Sequence, residues 1–282
     1  MAPYSAGALP RLTALRYLQP LREGGSLPAV VESDNGMVVV KFRGAGQGPR
    51  ALIAELIVGL IARDIGLRVP DLSLVDVPPR FGAEQRDPEI RELLDASRGL
   101  NIGLRYLDGV FNFDGAAAGD LVEPGFADAL VWLDAYVTNP DRTPRNPNLL
   151  VHERKLWLID HGSALYAHHA WETVDLARTR TPFPLIRDHV LLAGARDLAA
   201  ADHRIAARLG PDRLAAILDA VPDELLMDPL ARGAFGSSDE ARARYVRYLV
   251  ERVLGPRTFV AEAERRREER RARPAQRRPI RR

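Results

Sequence analysis

The chain has 282 residues, 46% hydrophobic and 28% charged, with a formal net charge of +2 and no cysteine. That length can bury a sizeable core in one large domain or two lobes. The missing cysteines exclude disulfides, a thiolate nucleophile and a thiolate zinc site. No apolar run is long enough to span a bilayer or to act as a signal-peptide core, so a cytoplasmic location without membrane contact is expected.

Residues 1–10 are rich in Pro, Gly and Ala and are expected to be irregular. Arg11–Leu18 reads as a first strand, followed by a tight loop carrying Gly24, Gly25 and Ser26. Ala29–Glu32 and Met37–Phe42 read as a hairpin turning at Asp34-Asn35-Gly36, with the β-branched run Val38-Val39-Val40 leading to Lys41. A second glycine-rich loop, Gly44–Gly48, precedes Pro49, which suits the first turn of a helix running to about Ile65 and stopped by Gly66. Val69–Val77 reads as a strand, Pro88–Ser97 as a helix and Leu100–Leu107 as a further strand closed by Asp108-Gly109.

Beyond Gly109 helical patterns prevail: Phe126–Val137, Phe183–Leu192, Leu198–Leu209, Asp212–Ala220 and Asp239–Leu254. A short hairpin of Leu149–Val151 and Leu156–Ile159 interrupts them. A β-rich first part and a helical second part predict an α+β chain of two lobes rather than alternating βαβ units. The expected division is a nucleotide-binding lobe over 1–108, a helical lobe over 109–260, and a basic tail, helical or disordered, over 261–282. That tail holds ten arginines against four glutamates, which leaves the rest of the chain mildly acidic. It reads as a solvated, frayed helix end; nucleic acid is a secondary partner and not the favoured one.

Only two of the 40 basic residues are lysine, Lys41 and Lys155. A chain that uses arginine almost everywhere draws attention to its lysines. Lys41 ends a strand behind a glycine-rich loop, where an ammonium can reach the α- and β-phosphates of a nucleotide. Glu55, on the next helix, can brace it, as in the strand-lysine and helix-glutamate pair of kinases. Lys155 lies in a hairpin turn and is expected to be solvated. Gly24, Gly25 and Ser26 offer backbone N–H groups and a hydroxyl to phosphate. Gly44–Gly48 competes for that role at a helix N-terminus but lacks the ending of a Walker P-loop.

The stretch from Asn139 to Gly162 carries the rest of the chemistry. Phosphoryl transfer from ATP needs a carboxylate to orient the accepting hydroxyl and oxygen ligands for magnesium. Asp141 is the candidate base, Asn146 and Asn148 compete as the metal-binding amide, and Asp160 after the hairpin is the candidate metal carboxylate. Arg142 can pair with a carboxylate to fix the loop. His161 is expected to pack near the metal site. The six histidines suggest no zinc site, and Trp132, Trp157 and Trp171 read as packing residues.

At these residues the chain resembles the HipA-like kinase family, a branch of the protein-kinase-like superfamily that includes the phosphatidylinositol 3-/4-kinases. Asp141-Arg142, Asn146-Pro147-Asn148-Leu149-Leu150 and Leu158-Ile159-Asp160-His161-Gly162 resemble its catalytic loop and metal-binding string. From about Thr13 to Leu254 the chain is similar to small actinobacterial HipA-like proteins. The resemblance implies a two-lobed protein-kinase-like fold and an ATP site with magnesium between the lobes. It implies Asn146 rather than Asn148 as the metal-binding amide, and Leu104 and Leu107 beside the adenine. The acceptor it implies is a hydroxyl, Ser or Thr of a protein, with a small-molecule phosphotransferase or a nucleotide-binding adaptor as the alternatives. The chain is shorter than the toxin kinases of that family.

Overall fold

The computed structural model describes residues 9–21, 27–46, 48–115, 117 and 120–272. Five strands close into a barrel: β1 (Arg11–Pro20), β2 (Ala29–Ser33), β3 (Gly36–Lys41), β4 (Leu72–Val77) and β5 (Gly99–Arg105), in the order β1-β2-β3-β5-β4. Neighbours run antiparallel except where β1 meets β4 in parallel, Arg11 beside Leu74, to close the ring. The β2–β3 hairpin turns at Asp34-Asn35, and Gly36 takes φ +96°, a value an L side chain rarely adopts.

Alternation along the strands sorts two cores. Val75 and Val77 of β4 face the barrel interior with Ala14, Tyr17, Val31 and Val40. Helix α2 (Pro88–Ala96) adds Leu93 and Leu94 to that interior. Leu72 and Leu74 face the other way, with Leu100 and Ile102 of β5, onto helix α1 (Pro49–Asp64). Gly59 lets α1 approach so closely that a Cβ there would sit 2.9 Å from Leu72 Cδ1. Covered on nearly every side, α1 buries Leu52 through Ala62 without a break, Glu55 included.

A small sheet of β6 (Phe111–Asn112), β7 (Leu149–His152) and β8 (Lys155–Leu158) follows, together with the apolar helix α3 (Phe126–Tyr136). The remaining helices are α4 (Leu176–Thr179), α5 (Leu198–Ala206), α6 (Pro211–Asp219), α7 (Asp223–Leu226), α8 (Ser238–Leu254) and α9 (Thr258–Ala272). One apolar core runs from α1 through α3 into α5, α6, α8 and α9. Arg252 of α8, 3% exposed, donates to the carbonyls of Ala135 (3.0 Å) and Tyr136 (2.7 Å), satisfying acceptors that the end of α3 leaves open. Trp132 is core, while Trp157 and Trp171 are half-buried against His152 and against Tyr245 and Tyr248. No helix among the described residues is long and apolar enough to cross a membrane.

Most expected elements stand within two residues of their expected ends, and four differ in kind or extent; the helix expected to reach Leu209 ends at Ala206. The strand expected from Val69 begins at Leu72, because Pro70 has no N–H to give a ladder. The helix expected over Phe183–Leu192 is instead two 3-10 turns, Pro184–Asp188 and Leu192–Gly194. Between them the N–H of Val190 is taken by the carbonyl of Arg142 (3.0 Å) and that of Leu191 by the ring of His189 (3.0 Å), so no helical ladder can pass. The start of the basic tail is no frayed end. Residues 258–272 form α9, which buries Phe259 and Ala263 against Trp132 and Tyr136 of α3.

Candidate active site

Strand β3 delivers Lys41 to the mouth of a cleft, and α1, packed behind it, delivers Glu55. The ammonium of Lys41 donates to Glu55 Oε2 at 2.9 Å and to Asp160 Oδ1 at 2.6 Å. Lys41 is 8% exposed and Glu55 fully buried. Burial alone would push the lysine pKa down, but the two carboxylates outweigh it and hold it above its ordinary value. Burial likewise opposes the Glu55 carboxylate, and Lys41 and His161 override it and hold its pKa below the usual range. Glu55 is therefore no ordinary surface glutamate.

Asp160 follows β8 in the left-handed region, φ 57°, an uncommon conformation for a residue with a Cβ. The next residue, His161, completes the lock: its N–H donates to Glu55 Oε2 at 2.7 Å and its Nδ1 lies 3.3 Å from Oε1. The sequence put His161 near the metal site but gave no hint that it holds Glu55, a residue 106 positions away.

The loop after α3 presents Asp141. Its Oδ2 accepts from the amides of Asn146 (3.0 Å) and Asn148 (3.2 Å), so both asparagines reach the aspartate and geometry does not rank them. Behind the loop Arg142, 1% exposed, donates Nε to Asp134 Oδ2 at 2.6 Å, and its Nη1 donates to the carbonyl of Asn148. Asp134 also accepts from Asn139 Nδ2 (3.0 Å) and His189 Nε2 (3.0 Å). Burial disfavours its charge, but Arg142 and His189 more than compensate, holding its pKa to about 2. Asp134 was missed from sequence, although an acid inside Leu130-Val131-Trp132-Leu133-Asp134-Ala135-Tyr136 must find partners on folding.

Five of these residues line one cleft of about 770 Å³. Lys41, Asp141, Asn146, Asn148 and Asp160 form its polar end, and Val39, Leu104, Leu107 and Leu150 stand along its apolar walls. Gly24, Gly25 and Ser26 lie outside the described residues. Leu21 and Pro28, joined by a 2.7 Å backbone hydrogen bond, flank that loop and line the cleft. The competing loop reaches the cleft with Ala45 and Gly46, and is pinned to α2 through Gly44 N–H and Ser97 Oγ at 3.1 Å. Lys155 is exposed, as expected.

The donor set at the polar end is all oxygen, two carboxylates and two amides, and among the described residues no three His, Cys, Asp or Glu side chains form a cage. Such a set fits magnesium, which takes one or two carboxylates and completes its shell with phosphate and water. With its amide nitrogen given to Asp141, Asn146 keeps its carbonyl oxygen as a ligand.

The sequence profile of the HipA-like kinases matches residues 16–176. Among solved structures, the Helicobacter pylori proinflammatory kinase CtkA aligns with a TM-score of 0.55 at 14% identity, covering 93% of this chain and 99% of that one. No curated protein sequence matches significantly.

Proposed function

Because the chain belongs to the HipA-like kinase family, we propose that it transfers the γ-phosphoryl group of ATP, with magnesium, to a hydroxyl, a Ser or Thr of a protein. The observation that carries this reading is one ammonium, Lys41, bridging Glu55 and Asp160 within the cleft that holds Asp141. In this reading the barrel side (1–108) and the helical side (109–260) act as two lobes about that cleft. The cytoplasmic location expected from sequence belongs to the same proposal.

Lys41 binds the α- and β-phosphates, held in place by Glu55, which His161 fixes from the other side. The Leu104–Leu107 segment borders the adenine, and either glycine-rich loop can cover the phosphates. Asp141 orients the acceptor hydroxyl and takes its proton on Oδ1, since Oδ2 is occupied by the two amides. Asn146 and Asp160 would hold magnesium, which when bound offsets the charge that develops on the phosphates. The docking of α9 spends Arg267, Arg270 and Arg271 on protein carbonyls, which weakens the nucleic-acid reading of the tail.

The test is γ-labelled ATP with magnesium, comparing wild type with Asp141→Ala and Asp160→Ala, followed by phosphoproteomics to find the acceptor. Label on Ser or Thr in wild type alone supports the proposal. Nucleotide binding without turnover in wild type would give the adaptor reading, and label only on small molecules would move the acceptor class.

A further inference from the structure

No residue of α9 lines the cleft, yet its arginines grip the segment from Pro184 to Arg196, a strap that runs behind the Asp141 loop. Arg270 Nη1 donates to the carbonyls of Arg187 (3.2 Å) and His189 (3.0 Å). Arg267 holds the carbonyl of Arg196 at 2.9 Å and Arg271 that of Ala195 at 2.6 Å. The strap passes the constraint on at two points. Val190 N–H donates to the carbonyl of Arg142 at 3.0 Å, and His189 meets Asp134 Oδ2 through Nε2 at 3.0 Å.

The His189 tautomer follows from its partners. Nδ1 accepts the N–H of Leu191 at 3.0 Å, so the proton sits on Nε2 and donates to Asp134. Asp134 in turn holds residues on both sides of the proposed base. It accepts from Asn139, whose Oδ1 receives the N–H of Asp141 at 3.1 Å, and from Arg142, the residue after Asp141. A shift of the strap is thereby transmitted to both sides of Asp141, and displacement by an ångström is enough to slow an oriented reaction.

We propose that the C-terminal helix sets the catalytic loop through this strap, with Arg270 and His189 as positioning residues for Asp141. The inference rests on the kinase reading for its effect on rate but not for its effect on the loop. Two readouts keep these apart: backbone hydrogen exchange over residues 139–148, and ATP turnover resolved into kcat and KM.

Arg270 is partly exposed near the end of α9, so Arg270→Ala should fold. Arg265→Ala is the control, because among the described residues Arg265 bonds Glu262 and Glu269 of its own helix. In Arg270→Ala, exchange over 139–148 should rise about fivefold and kcat should fall by a similar factor, with KM for ATP unchanged. Arg270→Lys, which keeps a charged donor, should lie between it and wild type, and Arg265→Ala should match wild type. Unchanged exchange in Arg270→Ala overturns the inference, as does faster exchange with kcat untouched. Absence of turnover in wild type would remove the kinase reading alone, and exchange would then decide the strap.

Discussion

Two buried cations meet carboxylates a few residues from the cleft, and they are satisfied differently. Lys41 is held by Glu55 and Asp160 and still lines open space. Arg142 is closed off from the cleft, with Asp134 on its Nε, backbone carbonyls on its Nη1, and Nη2 buried without a hydrogen-bond partner among the described residues. A lysine shared between two carboxylates can exchange part of its coordination for a phosphate. An arginine whose acceptors are all protein groups has nothing to exchange and can only hold a shape. In the proposed reading the first cluster serves a ligand and the second holds a loop.

That contrast can be broken or sharpened by substitution. The largest effect is expected at the proposed base, which lines the same cleft as Lys41: Asp141→Ala should lower turnover by about a thousandfold while ATP affinity stays within about twofold. Equal activity in the variant would remove Asp141 as the base. Arg142→Ala should cost about 3–5 kcal/mol of stability in urea unfolding, because it strands the Asp134 charge in the core. A loss under about 1 kcal/mol would mean the second cluster is not structural.

Acid should act on the sealed cluster too. The Asp134 pKa is depressed from 3.8 to about 2, so the stability it contributes is complete above pH 3.8 and is lost as pH falls toward 2. Asp134→Asn, which has no charge to lose, should surrender less stability over that window by on the order of 2 kcal/mol. Equal slopes for the two proteins would contradict this. Lys41 works in the opposite direction: its raised pKa contributes stability that is present below 10.5 and lost as pH climbs past the folded value.

Lys41→Met should weaken ATP about tenfold, which is the loss of one charged hydrogen bond. It should destabilise the fold less than Arg142→Ala, since Lys41 and Asp160 border the open cleft, where water can replace the lost partner, whereas Arg142 and Asp134 are buried. A larger stability loss than for Arg142→Ala would erase the distinction between the clusters. Lys155→Ala, on an exposed hairpin, should change stability by no more than about 0.5 kcal/mol and leave turnover untouched.

Much of this was legible from local pattern. Pro49 and Gly66 bracket α1, the Asp34-Asn35-Gly36 turn marks the β2–β3 hairpin, and the scarcity of lysine drew attention to Lys41 and Lys155, which their positions then set apart. What stayed hidden depends on partners far along the chain. His161 holding Glu55, His189 holding Asp134 and α9 docking on α3 join residues separated by roughly 50 to more than 120 positions. The run Phe183–Leu192 carries a helical pattern, but its N–H groups are claimed by His189 and Arg142, and a tertiary claim outweighs a local preference.

By itself the sequence determined the order of elements, the residue types that phosphoryl transfer needs, and the lysine among many arginines. Short-range sterics, strand alternation and turn chemistry are enough to specify those. Only the tertiary structure decided that both asparagines bond Asp141, that Glu55 is locked from two sides, and that residues 258–272 form a docked helix. Each of these settles how a buried charge or backbone group is satisfied, and such groups find their partners only when distant segments close around them.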